Sequence, residues 1–108
     1  MAWRWWHSVL AIGFAMAAGS AHGGDAAVDP AKLRNLVVQD CGSCHGLTLR
    51  GGLGNPLTAD RLAQWDRDQL ASIILDGVPG TPMPPWRPLL SEAEARWIAD
   101  TLKEGKLP

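Results

Sequence analysis

The sequence predicts a small all-α domain of three to four helices. Two observations carry this. Three helix starts are written in capping chemistry, at Asp29–Pro30, Asp66 with Gln69, and Ser91 with Glu94. No stretch alternates apolar and polar residues long enough to be a strand. At 108 residues the chain has room for one domain.

Asp29 and Pro30 read as N-cap and first helical residue, since proline has no N–H to lose there and its φ is already helical. Leu33, Val37, Cys41 and Cys44 follow at steps of four, four and three, which predicts one face holding two aliphatics and both thiols. Gly46 to Leu57 carries Gly46, Gly51, Gly52, Gly54 and Pro56, and is expected to be a loop. A short helical turn is expected over Thr58 to Gln64. Asp66 and Gln69 form a capping box for a helix whose buried stripe is expected at Leu70, Ile73 and Ile74, with Gly77 as its stop. Ser91 and Glu94 repeat the box, and Ala93, Trp97, Ile98 and Leu102 are the expected inner face until Gly105.

The first residues have another character. Arg4 and His7 precede the apolar run Val9 to Ala18, and Gly19-Ser20-Ala21 supplies small residues. Residues 1–21 therefore read as a signal peptide cleaved near 21–23, with 22–28 a flexible leader and 29–108 the domain. The run is far below the roughly 20 residues that span a bilayer, which argues against an uncleaved anchor. Contact with the membrane is thus expected only through the cleaved segment, and the mature protein in the periplasm. It keeps nine basic residues (ten less Arg4) against eleven acidic, about −2, which excludes a polybasic nucleic-acid or membrane-surface role.

The chemistry sits in Cys41-Gly42-Ser43-Cys44-His45. This spacing is the attachment signature of a c-type haem. Two thiols three residues apart add to the two vinyl groups of one porphyrin, and the next residue's imidazole reaches the iron. Other uses of the pair fit less well. A disulfide ignores the adjoining histidine, a redox dithiol needs a preceding strand, and zinc wants four ligands where two thiols and one imidazole stand. No Ser-His-Asp or paired-carboxylate arrangement is present, so the chain reads as an electron-transfer protein rather than an enzyme.

A second iron ligand is expected at Met83. It lies 38 positions after His45, within Val78-Pro79-Gly80-Thr81-Pro82-Met83-Pro84-Pro85-Trp86, where four prolines preset the backbone. Once the signal peptide is gone Met83 is the only methionine, and the competing reading is a core gap-filler. Trp86 and Trp97 are expected to be packing mass rather than electron relays. Arg87 is expected either to pair with a propionate or an acid or to be solvated, and Thr81 to bond a propionate or the loop backbone. With Trp65, Trp86 and Trp97 the only aromatics left after removal of the signal peptide, so small a core is marginal without its cofactor, and the haem-free chain is expected to be largely unfolded.

With these residues placed, the chain resembles the class I c-type cytochromes over about residues 29–105. Gln39 to Leu47, Gly51 to Gly54, Thr81 to Trp86, and Leu89-Leu90-Ser91 together are similar to the NirC-type cytochromes, periplasmic proteins found with cytochrome cd nitrite reductases. The resemblance implies a single-haem class I fold, haem c attached at Cys41 and Cys44, and axial iron ligands His45 and Met83. It implies a monomeric one-electron carrier of denitrification, exchanging electrons with the nitrite reductase or with an enzyme of late haem d-type maturation. A haem-based gas-binding or sensing module is the alternative of another class.

Overall fold

The structure, a computed structural model, describes residues 27–108. The expected signal peptide over 1–21, its cleavage site and most of the leader lie outside the described residues. Helix α1 (Pro30–Leu36) starts as its sequence requires, with Asp29 Oδ1 accepting from the Lys32 amide at 3.2 Å and Pro30 in the first turn. It does not end at Leu36. A turn of π-helix (Val37–Cys41) follows, then α2 (Gly42–His45), so 30–45 is one helical rod with a break in its periodicity. With α3 (Ala59–Leu62), α4 (Arg67–Asp76) and α5 (Glu92–Lys103), the described residues hold four helical rods and no strand.

Both capping boxes form. Asp66 Oδ1 accepts from the Gln69 amide at 2.8 Å while Gln69 Oε1 accepts from the Asp66 amide at 3.0 Å. Ser91 and Glu94 do the same at 3.1 and 3.0 Å. Helix α5 ends as expected at Gly105, in a Schellman pattern where the Gly105 amide donates to Leu102 O and the Lys106 amide to Thr101 O, both at 3.0 Å.

Helices α4 and α5 share the most extensive helix–helix contact. Their inner faces differ from the expected stripes. On α4 the buried residues are Leu70, Ala71 and Leu75; Ile74 is half-buried against the core and Ile73 lies beside Trp65 on a shallow outer cleft. On α5 they are Ala95, Ile98, Ala99, Thr101 and Leu102, with Ala93 and Trp97 half-buried. In both helices the true stripe includes alanines, because a small side chain lets a neighbouring backbone approach. Helix α1 is tied to the end of α5 by Arg34. Its Nη1 donates to Lys106 O at 2.8 Å and its guanidinium lies 5.7 Å from the Trp97 ring centre. Lys103 Nζ donates to the carbonyls of Leu62 and Trp65, closing α3 onto α5.

One face does not form as the spacing predicts. Leu33 and Val37 are fully buried, but Cys41 is half-buried and Cys44 exposed. The π-turn interrupts the 3.6-residue period between the aliphatics and the thiols.

Candidate functional site

Two segments carry the residues singled out from the sequence: the rod's end with its loop, and the proline-rich loop between α4 and α5. At the first, the loop after His45 satisfies the carbonyls that α2 leaves free. The Gly54 amide donates to Cys44 O and the Gly51 amide to His45 O, each at 2.8 Å. Leu49 pins this loop. It is 1% exposed, and holds a φ of 59° that few non-glycine residues adopt.

The loop also fixes the imidazole. His45 Nδ1 lies 2.6 Å from Asn55 O. A carbonyl only accepts, so Nδ1 carries the proton, and in the neutral imidazole Nε2 presents its lone pair. Gly54 makes room for the ring: a Cβ there would stand 2.8 Å from both His45 Cε1 and Nδ1. Neither Asn55 nor Gly54 was singled out by the sequence reading as part of the site. One signal was present, since Pro56 restricts Asn55 to extended backbone and so sets where its carbonyl points.

Both thiols are free, so the disulfide alternative does not hold in this structure. Burial, and after it the Asp40 carboxylate, push the Cys41 thiol up to about 11, so it stays protonated at neutral pH. Ser43 Oγ donates to Asp40 O at 2.7 Å. Among the described residues no cluster of three His, Cys, Asp or Glu side chains is arranged to hold a metal ion by itself.

At the second segment, Met83 is half-buried between exposed Pro82 and Pro84. The loop is locked onto the C-terminus of α4. The Val78 amide donates to Met83 O at 3.2 Å, and the Trp86 and Arg87 amides to Ile74 O and Leu75 O at 3.2 and 3.1 Å. Gly77 allows this approach. Its φ is 67°, and a Cβ would come within 2.7 Å of Met83 O. Thr81 serves the loop backbone: its Oγ1 donates to Val78 O at 2.7 Å and accepts from the Met83 amide at 3.3 Å. Arg87 pairs with Asp76, Nε to Oδ1 at 2.7 Å, rather than standing free. Trp86 and Trp97 both pack against the margin of the core.

This donor set suits a covalently held iron porphyrin. It offers two free thiols three residues apart, an imidazole aimed by its proton and a thioether on a braced loop, with apolar Leu53 and Val78 exposed in the two loops. No described helix is long and apolar enough to cross a membrane.

Known proteins agree. The family model described as cytochrome C oxidase, cbb3-type, subunit III matches residues 28–100. Cytochrome c55X of Paracoccus denitrificans (strain Pd 1222) is 58% identical over 95 residues, covering 86% of this chain and 91% of the relative. The solved c-type cytochrome NirC is 53% identical with a TM-score of 0.70, over 72% of this chain and 93% of that one. A dihydro-heme d1 dehydrogenase, NirN in complex with DHE, is 31% identical with a TM-score of 0.61, over 68% of this chain but only 16% of its own. The chain belongs to the class I c-type cytochromes, sharing the domain that the subunit III family describes, is of the NirC type within them, and carries a covalently bound haem c with iron.

Proposed function

We propose that the chain is a periplasmic one-electron carrier of the nitrite reductase and haem d1 system, with Cys41 and Cys44 as the thioether attachments and His45 and Met83 as the axial iron ligands. The observation that carries the site assignment is the 2.6 Å contact between His45 Nδ1 and Asn55 O, which calls for the proton on Nδ1 and leaves Nε2 to bind a metal. Haem c supplies a one-electron ferric/ferrous couple. His45 contributes a strong nitrogen donor whose orientation the 46–57 loop fixes. Met83 contributes a soft thioether that favours the ferrous state and so raises the potential over a bis-imidazole pair. With His45 and Met83 both bound to it, the iron would have no position left for O₂ or peroxide, which separates this reading from a gas sensor. With the same two protein ligands kept in both oxidation states, exchange of an electron would require little rearrangement. Encounters with a redox partner are small and short-lived by their nature.

A second reading concerns the partner. The likeness to part of a dihydro-heme d1 dehydrogenase supports a role as electron acceptor in late haem d1 maturation. Deleting the gene separates the two. Loss of finished haem d1 supports maturation; lost nitrite turnover with a complete cofactor supports donation. The site assignment itself is tested by the absorption spectrum of the purified holoprotein with and without CO. Covalent haem, a weak sulfur-to-iron band in the oxidised form and no CO shift are expected. Pigment extractable into acidified organic solvent, or ready CO binding, would refute it.

A further inference from the structure

We propose that the π-turn over Val37–Cys41 sets the register of the haem-attachment segment, so that the one extra residue it accommodates is a positioning element for His45 and the thiols. The proposal rests on the reading of Cys41, Cys44 and His45 given above.

The argument is angular. In an uninterrupted α-helix successive residues turn by about 100°. Counted from Leu33, such a helix would place Val37 about 40° away, and Asp40 and Cys44 within about 20° of the core direction. It would turn Gly42 to about 180° and His45 to about 120°. The observed burial contradicts that helix after Val37. Leu33 and Val37 are buried as the straight helix requires, yet Asp40 and Cys44 are exposed and Gly42 is buried.

The break is visible in one bond, where the Gly42 amide donates to Val37 O instead of Val38 O. Absorbing one residue there sets everything beyond it back by about 100°. Gly42 then stands about 80° from Leu33, His45 about 20°, and Cys44 about 80° on the other side. The core direction lies between Leu33 and Val37, so Gly42 falls nearer to it than Cys44 does, as buried Gly42 and exposed Cys44 require. Three consequences follow for function. The Asp40 carboxylate leaves the core, where it would be unpaired. Cys44 comes out to where a porphyrin edge is reachable. His45 swings into line with the buried stripe, where Asn55 O meets its Nδ1. From α2, Ser43 Oγ donates back to Asp40 O in the turn at 2.7 Å, bracing the widened backbone.

The test deletes exposed Gln39 from the full chain, which restores an uninterrupted helix, and compares it with Gln39→Ala, which keeps the length. Both are expressed with export and c-type haem attachment. Intact mass gives haem loading, the pyridine haemochrome band gives the number of thioethers, and redox titration gives the midpoint. Gln39→Ala is expected to match the parent. The deletion is expected to lower the yield of doubly attached, low-spin product at least about tenfold. A deletion chain that loads to the parental level, with two thioethers and the parental midpoint, overturns the proposal. If the deletion chain does not accumulate, the parent holoprotein decides by crystallography or amide NMR. A Gly42 amide bonded to Val37 O supports the proposal, and one bonded to Val38 O overturns it. A parent without covalent haem removes the reading of the site and this proposal with it, whereas a fully loaded deletion beside a loaded parent overturns the register alone.

Discussion

Replacing Gly54 by alanine isolates the hold on the imidazole. The backbone at Gly54 needs no positive φ, so the perturbation is steric alone. The new methyl would lie 2.8 Å from His45 Cε1 and Nδ1 and 3.3 Å from Cγ. Carbon contacts are optimal at about 3.5–4.0 Å, so ring and methyl must separate by about 0.7 Å. If the ring supplies that movement, the 2.6 Å bond from Nδ1 to Asn55 O stretches to the edge of hydrogen-bonding range or breaks. A bond lost at a half-exposed site costs about 1 kcal/mol, which lowers Tm by roughly 4–8 °C in a domain of this size. On the proposed ligation by His45, losing it would also make the imidazole a poorer donor to ferric iron. A threefold to tenfold loss of ferric preference raises the midpoint on the order of 30–60 mV in a one-electron couple. Spectroelectrochemical titration and a thermal melt of the holoprotein read both effects. Asn55→Ala is the control, because it keeps the backbone carbonyl and should leave the midpoint near the parent's. A Gly54→Ala protein with parental midpoint and Tm would refute the argument that this loop tunes His45.

Met83→Ala is expected to lower the midpoint and admit CO or cyanide to the iron, checked by difference spectra. Gly77→Ala places a methyl within 2.7 Å of Met83 O and Pro84 C at a φ of 67°, so the sulfur-to-iron band should weaken while the covalent haem stays. Ser91→Ala removes the α5 cap and should cost about 1 kcal/mol in a denaturant titration, with an unchanged haem spectrum. A Cys41→Ala/Cys44→Ala chain, unable to attach haem, should show little helical circular dichroism; a cooperative melt would contradict this.

The elements legible in the sequence were those whose signals are local. Asp29, Asp66 and Ser91 begin their helices because a side chain three residues from its partner amide caps it in any context. Gly77 and Gly105 end theirs for the same local reason. The stripes on α4 and α5 were harder to read, since Ile73 looks more apolar than Ala71 until the packing partner is known. Leu49 gives no cue at all, because a lone leucine in a glycine-rich loop is as readily exposed, as Leu53 is.

For the site, the types and order of the chemical groups came from the chain alone: two thiols and an imidazole in five residues, and one methionine among prolines. Covalent spacing dictates that chemistry before any folding occurs. Tertiary structure decided where those groups point. The π-turn between Val37 and Cys41, the acceptor at Asn55 O and the seat of the methionine loop on Gly77 each join residues whose relation depends on a backbone path. A helical period extrapolated from sequence carries every residue onward by the same angle, and a single bond made five residues back instead of four turns all that follows to another face.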